Sequence, residues 1–109
     1  MTMSSYTPDC WVMLEITGAN AKPIRKIFAG WRGGYMNSDS WRLNSGIVST
    51  LIDDQGHYEF TGHSGSTYFC HANDYGMSHY MEQVLDSWRR KLDIHTEIKE
   101  IELESIVES

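Results

Sequence analysis

Apolar and polar positions alternate over Cys10–Thr17, with Cys10, Val12, Leu14 and Ile16 on one face and Trp11, Met13, Glu15 and Thr17 on the other. A period of two predicts a β-strand. Residues 18–23, Gly-Ala-Asn-Ala-Lys-Pro, predict a turn, and 24–31 a second strand paired to the first as a hairpin, with Ile27, Ala29 and Trp31 on one face. Residues 41–44 predict a short extended piece. Residues 46–52 predict a third long strand, rich in β-branched side chains (Ile47, Val48, Thr50, Ile52). Asp53-Asp54-Gln55-Gly56 is a turn signal. The chain then returns over 57–61, turns again over Gly62-His63-Ser64-Gly65-Ser66, and runs extended over 67–72.

After Tyr75-Gly76 the period changes. Met81, Val84, Leu85, Trp88 and Leu92 fall at i, i+3, i+4, i+7 and i+11, one stripe of an α-helix. Ser78 suits the N-cap, Glu82 the first turn, and Arg89, Arg90 and Lys91 the last turn, where cations favour the dipole. Residues 96–103 fit a closing strand, with a helix as the alternative. The expected fold is α+β: an antiparallel meander of about five or six strands with one C-terminal amphipathic helix packed on it. The 109 residues make a single domain, with 1–9 a loose N-terminal arm and 104–109 a frayed acidic tail.

Charge narrows the partners. Most of the net charge of −6 lies in residues 97–109, which hold five glutamates against one lysine. The body is nearly neutral, without the basic footprint that duplex nucleic acid requires. No apolar run approaches the ~18–20 residues that span a bilayer, and the first residues lack the charged and apolar regions of a signal peptide. The expected location is the cytoplasm, where Cys10 and Cys70 are two buried thiols rather than a disulfide.

Catalytic constellations are weak. Gly62-His63-Ser64-Gly65-Ser66 falls one residue short of the nucleophile elbow and is flanked by strands on both sides. The histidines, His57, His63, His71, His79 and His95, have no metal-ligand spacing, so no metal and no other cofactor is expected. Asp53 and Asp54 are explained by their turn. No phosphate-binding loop of the G-x-x-x-x-G-K-[ST] type is present.

Residues 30–47 stand out: aromatic and guanidinium side chains spaced by Gly30, Gly33, Gly34 and Gly46. Trp31, Tyr35 and Trp41 offer flat faces, Arg32 and Arg42 match anionic groups, Asp39 can act as an acid or base, hold Arg42 or cap the loop's own amides, and Ser40, Asn44 and Ser45 supply hydrogen bonds. His63 and Ser64 occupy a turn at what is expected to be the same end of the sheet. These residue types suit a small nucleotide, and equally a protein partner, because Trp, Tyr and Arg dominate binding hot spots. The opposing reading makes both tryptophans core residues with the arginines snorkelling to water.

Gly33-Gly34-Tyr35 followed by Ser38-Asp39-Ser40-Trp41-Arg42-Leu43-Asn44-Ser45-Gly46-Ile47, with Tyr75-Gly76-Met77-Ser78 before the helix, resembles a group of small proteins carried by tailed bacteriophages and prophages. The resemblance covers about a third of the chain. It brings no activity and no catalytic residue, and it implies expression in the cytoplasm of an infected bacterium. The expected function is non-enzymatic: sequestration of a small anionic ligand such as a nucleotide signal, acting against host defence. An inhibitor or adaptor using the same patch on a host protein is the alternative, and a small enzyme acting on a nucleotide-like substrate comes third. A homo-oligomer is expected.

Overall fold

The computed structural model describes residues 4–33 and 39–109. Among them are eight strands and one α-helix: β1 (Ser5–Tyr6), β2 (Cys10–Thr17), β3 (Ile24–Trp31), β4 (Ser40–Leu43), β5 (Ile47–Ile52), β6 (His57–Gly62), β7 (Thr67–His71), α1 (His79–Arg90) and β8 (Glu97–Glu100). The fold is α+β. The strands form two sheets rather than the single meander that alternation suggests, one in the order β1-β7-β6-β5 and one in the order β4-β3-β2-β8. All pairings are antiparallel except β1 with β7. The division falls at residues 44–46, where the chain leaves β4 in one sheet and enters β5 in the other.

Asn44 makes that crossing. It is buried, and its Oδ1 accepts from the backbone N–H of Ile27 (2.9 Å) and of Gly46 (3.3 Å). Its own N–H donates to Ile27 O at 3.0 Å, so the β3–β4 ladder runs up to the last residue before the switch. A side-chain amide here replaces the ladder partners that a change of sheet removes.

The two sheets face each other across one apolar cluster. Trp11, Met13, Ile27 and Ala29 come from β2 and β3, and Phe60, Tyr68 and Cys70 from β6 and β7. The opposite faces of β2 and β3 hold Cys10, Val12, Leu14 and Phe28, which meet Met81 and Leu85 of α1 and Ile98 of β8 in a second cluster. Strand β2 is therefore covered on both sides, and its first five residues are all buried or nearly so. The helix comes close to β3: a Cβ at Gly30 would stand 2.3 Å from Met81 Sδ. Ser78 caps the helix through its Oγ, which accepts from Met81 N at 3.2 Å, and Arg89 in the last turn donates from Nε (3.2 Å) and Nη2 (2.7 Å) to Ile98 O. None of the described helices is long and apolar enough to cross a membrane.

Among the described residues, the segments 4–7 and 101–109 make backbone and core contacts, where the sequence suggests a loose arm and a frayed tail. Ser5 and Tyr6 pair with Thr67 and Tyr68, and Thr7 O accepts from Trp31 Nε1 at 3.0 Å. After β8, Ile101 and Ile106 enter the inter-sheet core, and Ser109 and Thr50 exchange backbone hydrogen bonds in both directions (3.2 and 3.5 Å). The two cysteines are free and buried in different clusters: Cys10, on the second sheet, faces the helix, and Cys70, on the first sheet, faces the inter-sheet core.

Tyr75 locks the closing segment onto β2. Its hydroxyl accepts from Met13 N at 3.1 Å and donates to Ile101 O, while its ring meets Trp11 edge-on with centroids 4.6 Å apart. Burial pushes the Tyr75 phenol up, so it stays a donor at neutral pH. Tyr75→Phe strips one backbone donor and one acceptor of their partner. It should cost about 1–3 kcal/mol in urea unfolding, whereas the exposed Tyr80→Phe should stay within about 0.5 kcal/mol of the parent.

Candidate functional site

The residues singled out between 31 and 45 do not gather on one surface. Trp31 pairs with Ser40, and Gly30 with Trp41. Adjacent residues of a strand point to opposite faces, so the two indoles leave opposite faces of the sheet. Trp31 is half-buried against the inter-sheet core and meets Tyr6 at 6.1 Å. Trp41 lies on the helix side, edge-on to Phe28 (5.8 Å) and Trp88 (5.1 Å), and stays 37% exposed. Arg42 turns to the Trp31 side, with its guanidinium carbon 4.5 Å from the centre of the Tyr6 ring. Burial pushes the neighbouring Tyr68 phenol up, and Arg42 acts in the opposite direction. Arg32 is exposed beside a small cavity of about 290 Å³, and its backbone N–H donates to Asp9 Oδ2 at 2.8 Å. Asp39 accepts from Gly33 N at 3.1 Å, so it shapes the loop's own backbone. Tyr35 lies outside the described residues.

The second half of the set does converge. Ser45 Oγ accepts from Ser64 N at 2.9 Å, and His63 N donates to Gly46 O at 2.7 Å. The turn after β6 is thereby bound to the crossing between sheets. Asn44 beside it is a buried structural residue, and its Nδ2 lies 3.3 Å from where a Cβ at Gly62 would sit. Any other residue at position 62 would crowd that amide.

The larger cavity, about 680 Å³, lies elsewhere, on the outer face of the first sheet. Its floor follows from register. Leu51 pairs with Glu59 and Glu59 with Phe69, so these three side chains form one row across β5, β6 and β7. Their neighbours Thr50, Phe60 and Tyr68 turn inward and are buried. Leu51 and Phe69 remain 51% and 43% exposed on what alternation would make a solvent face. Beyond them His57 pairs with His71, and Asp53 closes the row by accepting from His57. Asp53, Glu59, Asp74 and Glu108 line the groove, and none of its lining residues is Lys or Arg.

The two imidazoles are held in opposite protonation patterns. His57 Nδ1 lies 2.8 Å from Asp53 Oδ2, an acceptor, so Nδ1 carries a proton. His71 Nδ1 accepts from Asn73 N at 3.0 Å, so its proton sits on Nε2. The rings meet edge to face with centroids 4.9 Å apart. Asp53 thus orients the His57 ring, and the Asn73 N–H orients the His71 ring. Cys70 lines the same groove, but burial pushes its thiol far above the usual range, which denies it a nucleophilic thiolate at neutral pH. The groove offers π faces, carboxylates and two oriented imidazoles, a set that suits a protonated amine or guanidinium beside an apolar body.

The sequence explains Asp53 by its turn, weighs His57 and His71 only as metal ligands, and does not single out Leu51, Glu59 or Phe69. The available signal was parity: in each of the strands 46–52 and 67–72 a large apolar residue falls on the face opposite the core. Comparison with protein-family models, curated proteins and solved structures finds no match to the chain.

Asp53 links the site to pH. The His57 backbone N–H first, then the His57 ring and the Gln55 N–H, hold its carboxyl below the usual aspartate range. A lowered folded value means that its stabilising effect is complete above the ordinary aspartate pKa of about 3.9 and disappears as pH falls through the folded value. Asp53→Asn should therefore unfold at lower urea concentration than the parent at pH 7. The gap should close as the pH is taken well below 4, tracked by tryptophan fluorescence.

Proposed function

We propose that this chain is a binding protein whose outer groove holds a small ligand with an apolar body and a protonated amine or guanidinium group. One observation carries the reading: Glu59 stands between the exposed Leu51 and Phe69 on a sheet face lined by four carboxylates and no lysine or arginine. A cation placed there interacts with Glu59 while its hydrocarbon covers the two apolar side chains. The volume of about 680 Å³ lies within the range of small-molecule sites. An anionic ligand in this groove would meet like charge.

The expectation of a nucleotide-like anion keeps one support, the guanidinium of Arg42 over the Tyr6 ring with Trp31 alongside. That corner supports a second reading, in which an anion pairs with Arg42 and stacks on the aromatic rings.

Thermal shifts with phenethylamine and agmatine, run beside a nucleotide panel, separate the two. The groove reading expects stabilisation by the amines, with affinity lowered about 10–100-fold by Glu59→Gln, as the loss of a charge-assisted hydrogen bond implies. It also expects no effect of Arg42→Ala on amine binding. Stabilisation by nucleotides alone, abolished by Arg42→Ala, would replace it with the second reading.

A further inference from the structure

We propose that the groove's ligand is a linear aliphatic polyamine, a chain of methylenes carrying two or more ammonium groups. This rests on the amine-binding reading of the same groove and specifies the spacing of its charges. Ser109 and Thr50 exchange hydrogen bonds in both directions, the signature of an antiparallel pair, which sets Glu108 beside Leu51. The outer row across the sheet therefore reads Glu108, Leu51, Glu59, Phe69, with acidic and apolar positions in alternation. Neighbouring strands lie about 4.8 Å apart, so Glu108 and Glu59 arise about 10 Å from each other with Leu51 between them. Asp74, in the turn after β7, brings a further carboxylate from the opposite side.

None of these three carboxylates forms an ion pair among the described residues, whose salt bridges join Arg25 to Glu15 and His57 to Asp53. Three like charges around one apolar floor repel each other, and a monoamine neutralises only one of them. A polyamine satisfies two or three, and its methylene spacers cover Leu51 and Phe69. The same charges oppose a second copy of this chain on the face, since carboxylates would meet carboxylates. The concavity and its size favour a small molecule over a basic peptide.

Isothermal titration of the full chain with butylamine, putrescine, spermidine and a Lys-Leu-Lys peptide, at ~0.15 M salt where diffuse surface attraction is largely screened, tests the proposal. The expected result is affinity rising at least tenfold from butylamine to spermidine. Glu59→Gln and Glu108→Gln should each weaken spermidine at least fivefold, while Glu102→Gln, outside the groove, leaves it unchanged. Butylamine binding as tightly as spermidine would overturn the polyamine but leave the amine groove standing. No binding of any amine would overturn both. A tighter peptide, or equal losses from all three glutamate variants, would overturn the polyamine in favour of a protein partner or of diffuse attraction.

Discussion

Strand β2 has to be covered on both faces, and most of the architecture follows from that. Its odd positions carry Trp11 and Met13 and its even positions Cys10, Val12 and Leu14, every one of them buried. A sheet with a single partner would leave one of these sets in water, at roughly 1.5–3 kcal/mol for each large side chain. The first sheet covers the odd set and the helix, with β8, meets the even set. Burying Trp11 completely also obliges its indole N–H to find an acceptor, and it donates to His71 O at 2.7 Å. That bond ties the centre of the core to the end of β7, where the groove begins.

The groove is thus a by-product of how the first sheet is used. Its inner face is committed to Trp11 and its neighbours, and among the described residues no element covers its outer face. Such a face normally carries polar side chains. Here Leu51 and Phe69 break that rule on either side of Glu59, and the Asp53, His57 and His71 row sits one step further along the strands. Rigid strands set these positions, while the two turns at that end of the sheet supply the hydrogen bonds that orient the two rings. A site assembled on strands holds its groups more precisely than one assembled on loops.

Much of this was legible in the chain. The alternation over Cys10–Thr17, the turn residues at 53–56 and 62–66, and the helical stripe from Met81 to Leu92 mark their elements within a residue or two. The Ser78 cap is legible for the same local reason. The pairing was not. Period-two patterns say which residues share a face of one strand, but nothing about which strands are neighbours, and the switch of sheets at Asn44 depends on a buried amide that reads as an ordinary loop residue. The aromatic segment misleads in a related way. Trp31 and Trp41 are ten positions apart across a loop, so their relative parity is set by the β3–β4 register and cannot be counted along the sequence. The groove stayed hidden because Glu59 lies between apolar residues that are eight and ten positions away along the chain, yet only one strand away in space.

The contact between Arg89 and Ile98 has a consequence for solubility. Strand β8 is the outermost member of its sheet, and an unguarded margin of that kind is a template on which a foreign chain can be added. The guanidinium occupies the Ile98 carbonyl with two donors, so an incoming peptide finds that acceptor already taken. Charged side chains at Glu97, Lys99 and Glu100 surround it with groups that resist being dehydrated. The end of the helix therefore occupies one acceptor of that margin as well as covering the core, and loosening its last turn would free the Ile98 carbonyl and disturb the Phe28–Trp88 contact together.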